Sequence, residues 1–237
     1  MEGIMENNCD KNVQVEPKNS FPLIGLPAPK FTANTTHGVI NFPDDYKGKW
    51  VILFSHPADF TPVCTTEFMT FASMHEEFKS LNTELVGLSI DSVHAHLGWV
   101  TAIKNYSWNG IENPDVKFPV IDDVKMEVAN KYGMLQGESD TAAVRAVFFV
   151  DPEGVMRTIL YYPSSLGRNF NEIKRIVIGL QKSDAEGVAL PANWHPGKDV
   201  IVPPPVTTKA IKERVEEVKG KDEYTQLDWY LTFKKDE

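Results

Sequence analysis

Residues 50–78 hold the arrangement that most constrains this chain. Trp50 to Phe54 (WVILF) is a short, continuous apolar run with the length and composition of a buried strand. Phe68, Phe71, Ala72, His75 and Phe78 then recur at helical spacing. Between them lies Ser55-His56-Pro57-Ala58-Asp59-Phe60-Thr61-Pro62-Val63-Cys64-Thr65-Thr66-Glu67. Pro62 suits the first turn of a helix, where its missing N–H costs no hydrogen bond. The spacing therefore predicts that Cys64 lies in that first turn, near unpaired backbone N–H groups and the positive end of the helix dipole. Both features stabilise a thiolate, and a thiolate is a nucleophile.

Composition narrows the class. The chain has 237 residues, enough to bury a substantial core in one or two domains. A hydrophobic fraction of 42% and five tryptophans indicate a globular protein. The net charge of −9 argues against nonspecific binding to nucleic acid or anionic membranes. No apolar run approaches the ~20 residues that span a bilayer. MEGIMENNCDKNVQ lacks the apolar core of a secretory signal, and a free reactive cysteine suits a reducing compartment, so the cytoplasm is expected. Two cysteines make neither a disulfide scaffold nor a paired zinc motif.

Along the chain, residues 1–20 read as a flexible leader. Residues 21–183 alternate strand-like and helix-like segments. Strands are expected at 50–55, 84–91, 143–151 and 155–162. Helices are expected after Pro62, over 94–106, 124–132 and 169–182. Asp151-Pro152-Glu153-Gly154 is a turn signal for an antiparallel hairpin. The pattern predicts an α/β domain with a mixed sheet and helices on both faces. Residues 184–237 shift to proline-rich sequence, a charged helix candidate at 209–219, and QLDWYLTF. They read as a smaller C-terminal arm, or as a tail folded on its own domain.

Pro57, Thr61 and Cys64 form the P-x-x-x-T-x-x-C pattern of the peroxiredoxins, and the fuller SHPADFTPVCTTE resembles their one-cysteine subclass. The resemblance continues in order through DSVHAHLGW, FPVIDD, VRAVFFVDPEG, YYPSSLGRNFNEI, PANW and LDWY, covering residues 20–235. It implies a thioredoxin-like fold and a thiol peroxidase using no metal, haem or flavin. The substrates implied are hydrogen peroxide and organic hydroperoxides. Cys64 would attack the peroxide, become a sulfenic acid, and be reduced by an external thiol or protein reductant. The resemblance further implies a homodimer built through the C-terminal arm and assembling into a decamer-like ring.

It also suggests roles for other residues. Thr61 and Arg145 would bind the peroxide, Arg145 also holding the thiolate. Glu67 would orient Arg145 and Arg168 through charge-assisted hydrogen bonds, and His56 would assist peroxide binding. Pro57 would stiffen the loop and exclude water. The plainer alternatives are an edge-strand arginine for Arg145, an exposed helix residue for Glu67, a helix-start residue for Arg168 and a packed histidine for His56. His94 and His96 form an H-x-H pair, but no acidic or thiol partner has matching spacing for a metal.

No cysteine follows Cys64. Cys9, in the leader, could resolve the sulfenic acid or be incidental. A thiol–disulfide oxidoreductase would carry Cys-x-x-Cys, and here Thr61 occupies the first position. A redox sensor or holdase shares the first chemical step and differs in turnover. A lipase elbow of the form G-x-S-x-G is absent; Gly87-Leu88-Ser89-Ile90-Asp91 lacks the final glycine. Hydrogen peroxide consumption with dithiothreitol should vanish in Cys64→Ser and persist in Cys9→Ser. Turnover retained by Cys64→Ser would remove Cys64 from the chemistry.

Overall fold

The computed structural model describes residues 21–135 and 142–236. The leader, including Cys9, lies outside them. The elements run β1 (Phe31–Thr35), β2 (Gly38–Phe42), β3 (Trp50–Ser55), α1 (Pro62–Ser73), α2 (His75–Ser80), β4 (Thr83–Ser89), α3 (Val93–Ile103), β5 (Ser107–Trp108) and β6 (Ile111–Glu112). They continue with β7 (Val120–Asp122), α4 (Glu127–Lys131), β8 (Arg145–Val150), β9 (Met156–Tyr162), α5 (Phe170–Glu186), β10 (Val200–Val202), α6 (Thr208–Val218), β11 (Tyr224–Asp228) and β12 (Leu231–Lys234).

Seven strands form one mixed sheet in the order β2-β1-β7-β4-β3-β8-β9. β3 pairs in parallel with β4, and β4 with β7; β8 runs antiparallel between β3 and β9. This is the expected α/β architecture, a mixed sheet with helices on both faces. The β1–β2 hairpin was not anticipated. It lengthens the sheet beyond β7 and pairs Thr35 with Ile121.

β3 and β8 are buried along their length, and apolar except at Ser55 and Arg145, because both sheet faces are covered. Alternation sorts their side chains. Ile52, Phe54, Val147 and Phe149 join the core beneath α1, α2, α3 and α5, with Phe68, Phe71, Phe78, Trp99 and Ile173. Val51, Leu53, Ala146, Phe148 and Val150 join the opposite core, with Val128, Ala129, Tyr132 and Met134. Arg145 shares the parity of Val147 and Phe149. The pleat therefore delivers it to the α1 face, immediately before the apolar run 146–150.

Some boundaries differ from expectation. The helix expected over 124–132 is only α4. Met126 takes a left-handed conformation (φ 58°), and the Asp123 carboxylate caps the helix start. It accepts from Val128 N at 3.1 Å and Ala129 N at 2.7 Å. α5 runs one turn further than expected and stops at Gly187, whose φ of 64° is costly for any residue with a Cβ.

Beyond α5, Val188, Trp194 and Val200 form a third apolar cluster with Ile178 and Leu190, so this region packs on α5. It also contains a separate sheet ordered β10-β12-β11. LDWY falls at the β11–β12 turn, leaving Leu227, Trp229 and Tyr230 exposed.

Asp123→Ala should lower unfolding stability by about 1–2 kcal/mol, since it removes the acceptor for two helix-start N–H groups. Urea denaturation reads this; an unchanged midpoint would show that the cap is dispensable.

Candidate active site

Cys64 is the third residue of α1 and is completely buried. Pro62 opens the helix as expected. Thr61 is its N-cap residue, with extended backbone (φ −105°, ψ 149°). The Thr61 hydroxyl donates to Ala58 O at 2.8 Å, so its proton is committed and it offers lone pairs elsewhere. Pro57 is half-buried in the same loop. Phe60, next to Thr61, has φ 55° and is 64% exposed, an unusual left-handed conformation for a bulky residue.

Arg145 lies on an interior strand, not at an edge, and it is buried. Its Nη1 donates to Cys64 Sγ at 3.2 Å and to Glu67 Oε2 at 2.8 Å. Nε and Nη2 both donate to Ser164 O, at 3.0 and 2.8 Å. The guanidinium plane is thus fixed from both sides while one of its N–H edges faces the sulfur.

Glu67 sits one turn after Cys64 and is buried as well. Its carboxylate also receives Arg168: backbone N and Nε donate to Oε1 at 2.9 Å each, and Nη2 donates to Oε2 at 2.6 Å. Arg168 Nη1 donates to Ser55 O at 2.9 Å and Ala146 O at 3.1 Å. Its guanidinium carbon lies 5.3 Å from the Phe54 ring centroid. Burial pushes the Glu67 carboxyl up, but the charge and hydrogen bonds of Arg168, with the charge of Arg145, outweigh it and hold the pKa below the ordinary 4.5. The structure therefore brings Cys64, Glu67, Arg145 and Arg168 into one buried network.

His56 leaves the end of β3 and is fully buried. Its ring packs against Phe68 (centroids 4.8 Å apart) and Trp99 (5.1 Å). Nε2 lies 2.7 Å from Asp59 Oδ1, while Nδ1 has no hydrogen-bond partner. The H-x-H pair splits: His94 is exposed and His96 is buried. His96 Nδ1 is 2.7 Å from Asp59 Oδ2, so the fold supplies the acidic partner that linear spacing did not show. His56, Asp59 and His96 are ligand types whose atoms lie within 4.8 Å of one another. Both carboxylate oxygens are nevertheless closed by imidazole contacts at 2.7 Å, tighter than ligands spread around a cation would be.

Sequence reasoning missed Asp59, His96 and Ser164. Asp59 stood in the motif three residues after His56. Ser164 acts through its carbonyl, which residue type cannot signal.

Comparisons with known proteins give the family. Residues 24–159 match the AhpC/TSA family, and residues 179–217 match the C-terminal domain of 1-Cys peroxiredoxin. A peroxiredoxin of Methanosarcina mazei is 64% identical over 220 residues, covering 91% of this chain and 99% of that protein. Peroxiredoxin 2 of Caldanaerobacter subterraneus subsp. tengcongensis is 50% identical, covering 98% of this chain and all of that one. Among solved structures, a yeast mitochondrial 1-Cys peroxiredoxin superposes with a TM-score of 0.78 at 40% identity, covering 90% of this chain and 99% of that one. Peroxiredoxin 6 of Arenicola marina gives 0.78 at 32% identity, covering 90% and 97%. The chain belongs to the peroxiredoxins, within the AhpC/TSA family. It is a thiol-dependent peroxidase of the one-cysteine type.

Glu67→Gln should destabilise the fold by about 3–5 kcal/mol, because two buried guanidinium groups lose their counter-charge. The Glu67 pKa is lowered in the folded state, so its stabilisation is complete above the ordinary carboxyl pKa and is lost as pH falls through the folded value. Thermal unfolding followed from about pH 6 down to about pH 3 should show a slope that Glu67→Gln flattens. An identical slope in the variant would mean that other carboxylates dominate acid unfolding.

Proposed function

We propose that Cys64 is the peroxide-attacking thiolate and that Arg145 is the group that holds it. The observation that carries this reading is the single Nη1 group donating to both Cys64 Sγ and Glu67 Oε2. The buried network holds two guanidinium groups against one carboxylate, an excess of one positive charge. A thiolate at Cys64 balances it, and the start of α1 adds its dipole.

In the reaction, the Cys64 sulfur attacks the terminal oxygen of R–O–OH. An S–O bond forms and the O–O bond breaks. The hydroxyl hydrogen stays on the transferred oxygen, giving Cys64–SOH, and RO⁻ takes a proton to leave as water or an alcohol. Sulfur is oxidised and the peroxide is reduced. Arg145 N–H groups stabilise the developing charge, and Thr61 and His56 hold the peroxide with lone pairs. Pro57 stiffens the loop, and Glu67 and Arg168 keep Arg145 in place. Because Cys64 is fully covered at rest, peroxide entry requires the half-buried loop residues around it to move.

Two external thiols then return the sulfenic acid to the thiol, yielding a disulfide and water. The yeast relative's thiol is resolved via glutathione/thioredoxin systems, which supports a small thiol or a protein dithiol as reductant here. Cys9 is the alternative within the chain. Exposed Leu227, Trp229 and Tyr230 support a homodimer through the C-terminal arm, residues 184–237, with dimers joining into a ring. Among the described residues no helix is long and apolar enough to cross a membrane. A reduced cytoplasm suits the free thiol.

Arg145→Ala should slow the reaction of Cys64 with hydrogen peroxide by about 10²–10³-fold, the range for losing one preorganised donor to a developing charge. Stopped-flow tryptophan fluorescence on the reduced protein reads this rate. An unchanged rate would remove Arg145 from the chemistry.

A further inference from the structure

Arg145 reaches the sulfur from a point where the pairing of β3 with β8 has just ended. The backbone ladder between these strands stops at Phe54 and Val147. One step further along β3 stands Ser55, and one step further along β8 stands Ala146, the neighbour of Arg145. On its other side β8 still pairs with β9, and Arg145 lies opposite Tyr162. Toward β3, the Arg145 segment is held by something other than a backbone ladder.

The Ser55 side chain supplies that connection. Ser55 is completely buried. Its hydroxyl donates to Val144 O at 2.5 Å and accepts from Ala146 N at 3.0 Å. The directions are fixed, because a carbonyl only accepts and an N–H only donates. These two backbone groups flank Arg145. Ala146 N also donates to Val144 O at 3.1 Å, closing a three-residue turn with Arg145 at its centre. A hydroxyl carries one hydrogen and two lone pairs, so serine is the smallest residue whose side chain can serve a carbonyl and an N–H at once. The Ser55 carbonyl in turn accepts from Arg168 Nη1 at 2.9 Å. One residue at the end of β3 thus contacts both arginine segments, Arg168 through its carbonyl and Arg145 through its hydroxyl.

We propose that Ser55 is a positioning residue, whose buried hydroxyl clamps the backbone on both sides of Arg145 and so sets where the guanidinium meets Cys64 Sγ. The role rests on the reading of Arg145 as the group that serves the sulfur. Ser164 O fixes the head of the Arg145 side chain, and Ser55 fixes its root. Arg145 Nη1 stands 3.2 Å from Sγ and 2.8 Å from Glu67 Oε2, so a shift of the β8 backbone at residue 145 lengthens one contact or the other. Misplacing a group at a reacting centre by ~1 Å can cost about 10²-fold in rate.

The test is the second-order rate of the reduced, full-length protein with hydrogen peroxide, read by stopped-flow tryptophan fluorescence in wild type, Ser55→Ala, Arg145→Ala and the pair. Ser55→Ala should slow the reaction by about tenfold. Added to Arg145→Ala it should slow the reaction no further, although it lowers the melting temperature in both backgrounds. A wild-type rate in folded Ser55→Ala would overturn the proposal, and so would an equal proportional loss in both backgrounds, which is the mark of a residue serving only the fold. An Arg145→Ala rate equal to wild type would instead overturn the underlying role of Arg145. The clamp also has a signature that needs no variant to fold. A hydroxyl hydrogen-bonded inside the core exchanges slowly with water. NMR of the wild-type protein should therefore show a Ser55 hydroxyl proton with a nuclear Overhauser contact to the Ala146 amide proton. Absence of that resonance would overturn the clamp.

Discussion

The Glu67 carboxylate is the group on which the rest of the site depends. Two buried guanidinium groups meet on its two oxygens, and each would be costly to bury alone. Arg168 serves as the structural partner: it adds backbone acceptors on β3 and β8 and stacks on Phe54, tying both strands to α1. Arg145 is the partner that faces the sulfur, its Nη1 donating to Cys64 Sγ. One acidic side chain thus couples the packing of helix and sheet to the electrostatics of the sulfur. The network sets two guanidinium groups against one carboxylate, with the sulfur at the open edge of Arg145.

This arrangement follows from the pleat and the helix period. Arg145 reaches α1 because it has the parity of Val147 and Phe149. Glu67 reaches it because it lies one turn after Cys64. Shifting β8 by one residue would send Arg145 into the opposite core and leave Glu67 with a single partner. The antiparallel pairing of β8 with both β3 and β9 holds that register. The Asp59 contacts are built differently: a loop carboxylate gathers His56 from the end of β3 and His96 from α3.

Much of this was legible before any coordinates. The WVILF run, Pro62 and the phenylalanine spacing placed Cys64 in the first turn of a helix, where it lies. Glu67, Arg145 and Arg168 were legible through the resemblance to the peroxiredoxins; residue pattern alone left each with a plainer alternative, and tertiary pairing decided among them. The β1–β2 hairpin was missed because its strands alternate polar and half-buried residues without a strong apolar run. The 124–132 helix was drawn too long because a left-handed Met126 is invisible to periodicity. His96 looked partnerless because its carboxylate lies 37 positions away in sequence.

The most direct measurement is a double-mutant cycle on the second-order rate of Cys64 with hydrogen peroxide, using Arg145→Ala, Glu67→Gln and the pair. If Glu67 acts by holding Arg145 at the sulfur, the double variant should react about as slowly as Arg145→Ala alone, a coupling well beyond the ~0.5 kcal/mol expected of independent sites. Rate losses that simply add would contradict the account, showing that Glu67 and Arg145 act on the thiolate separately.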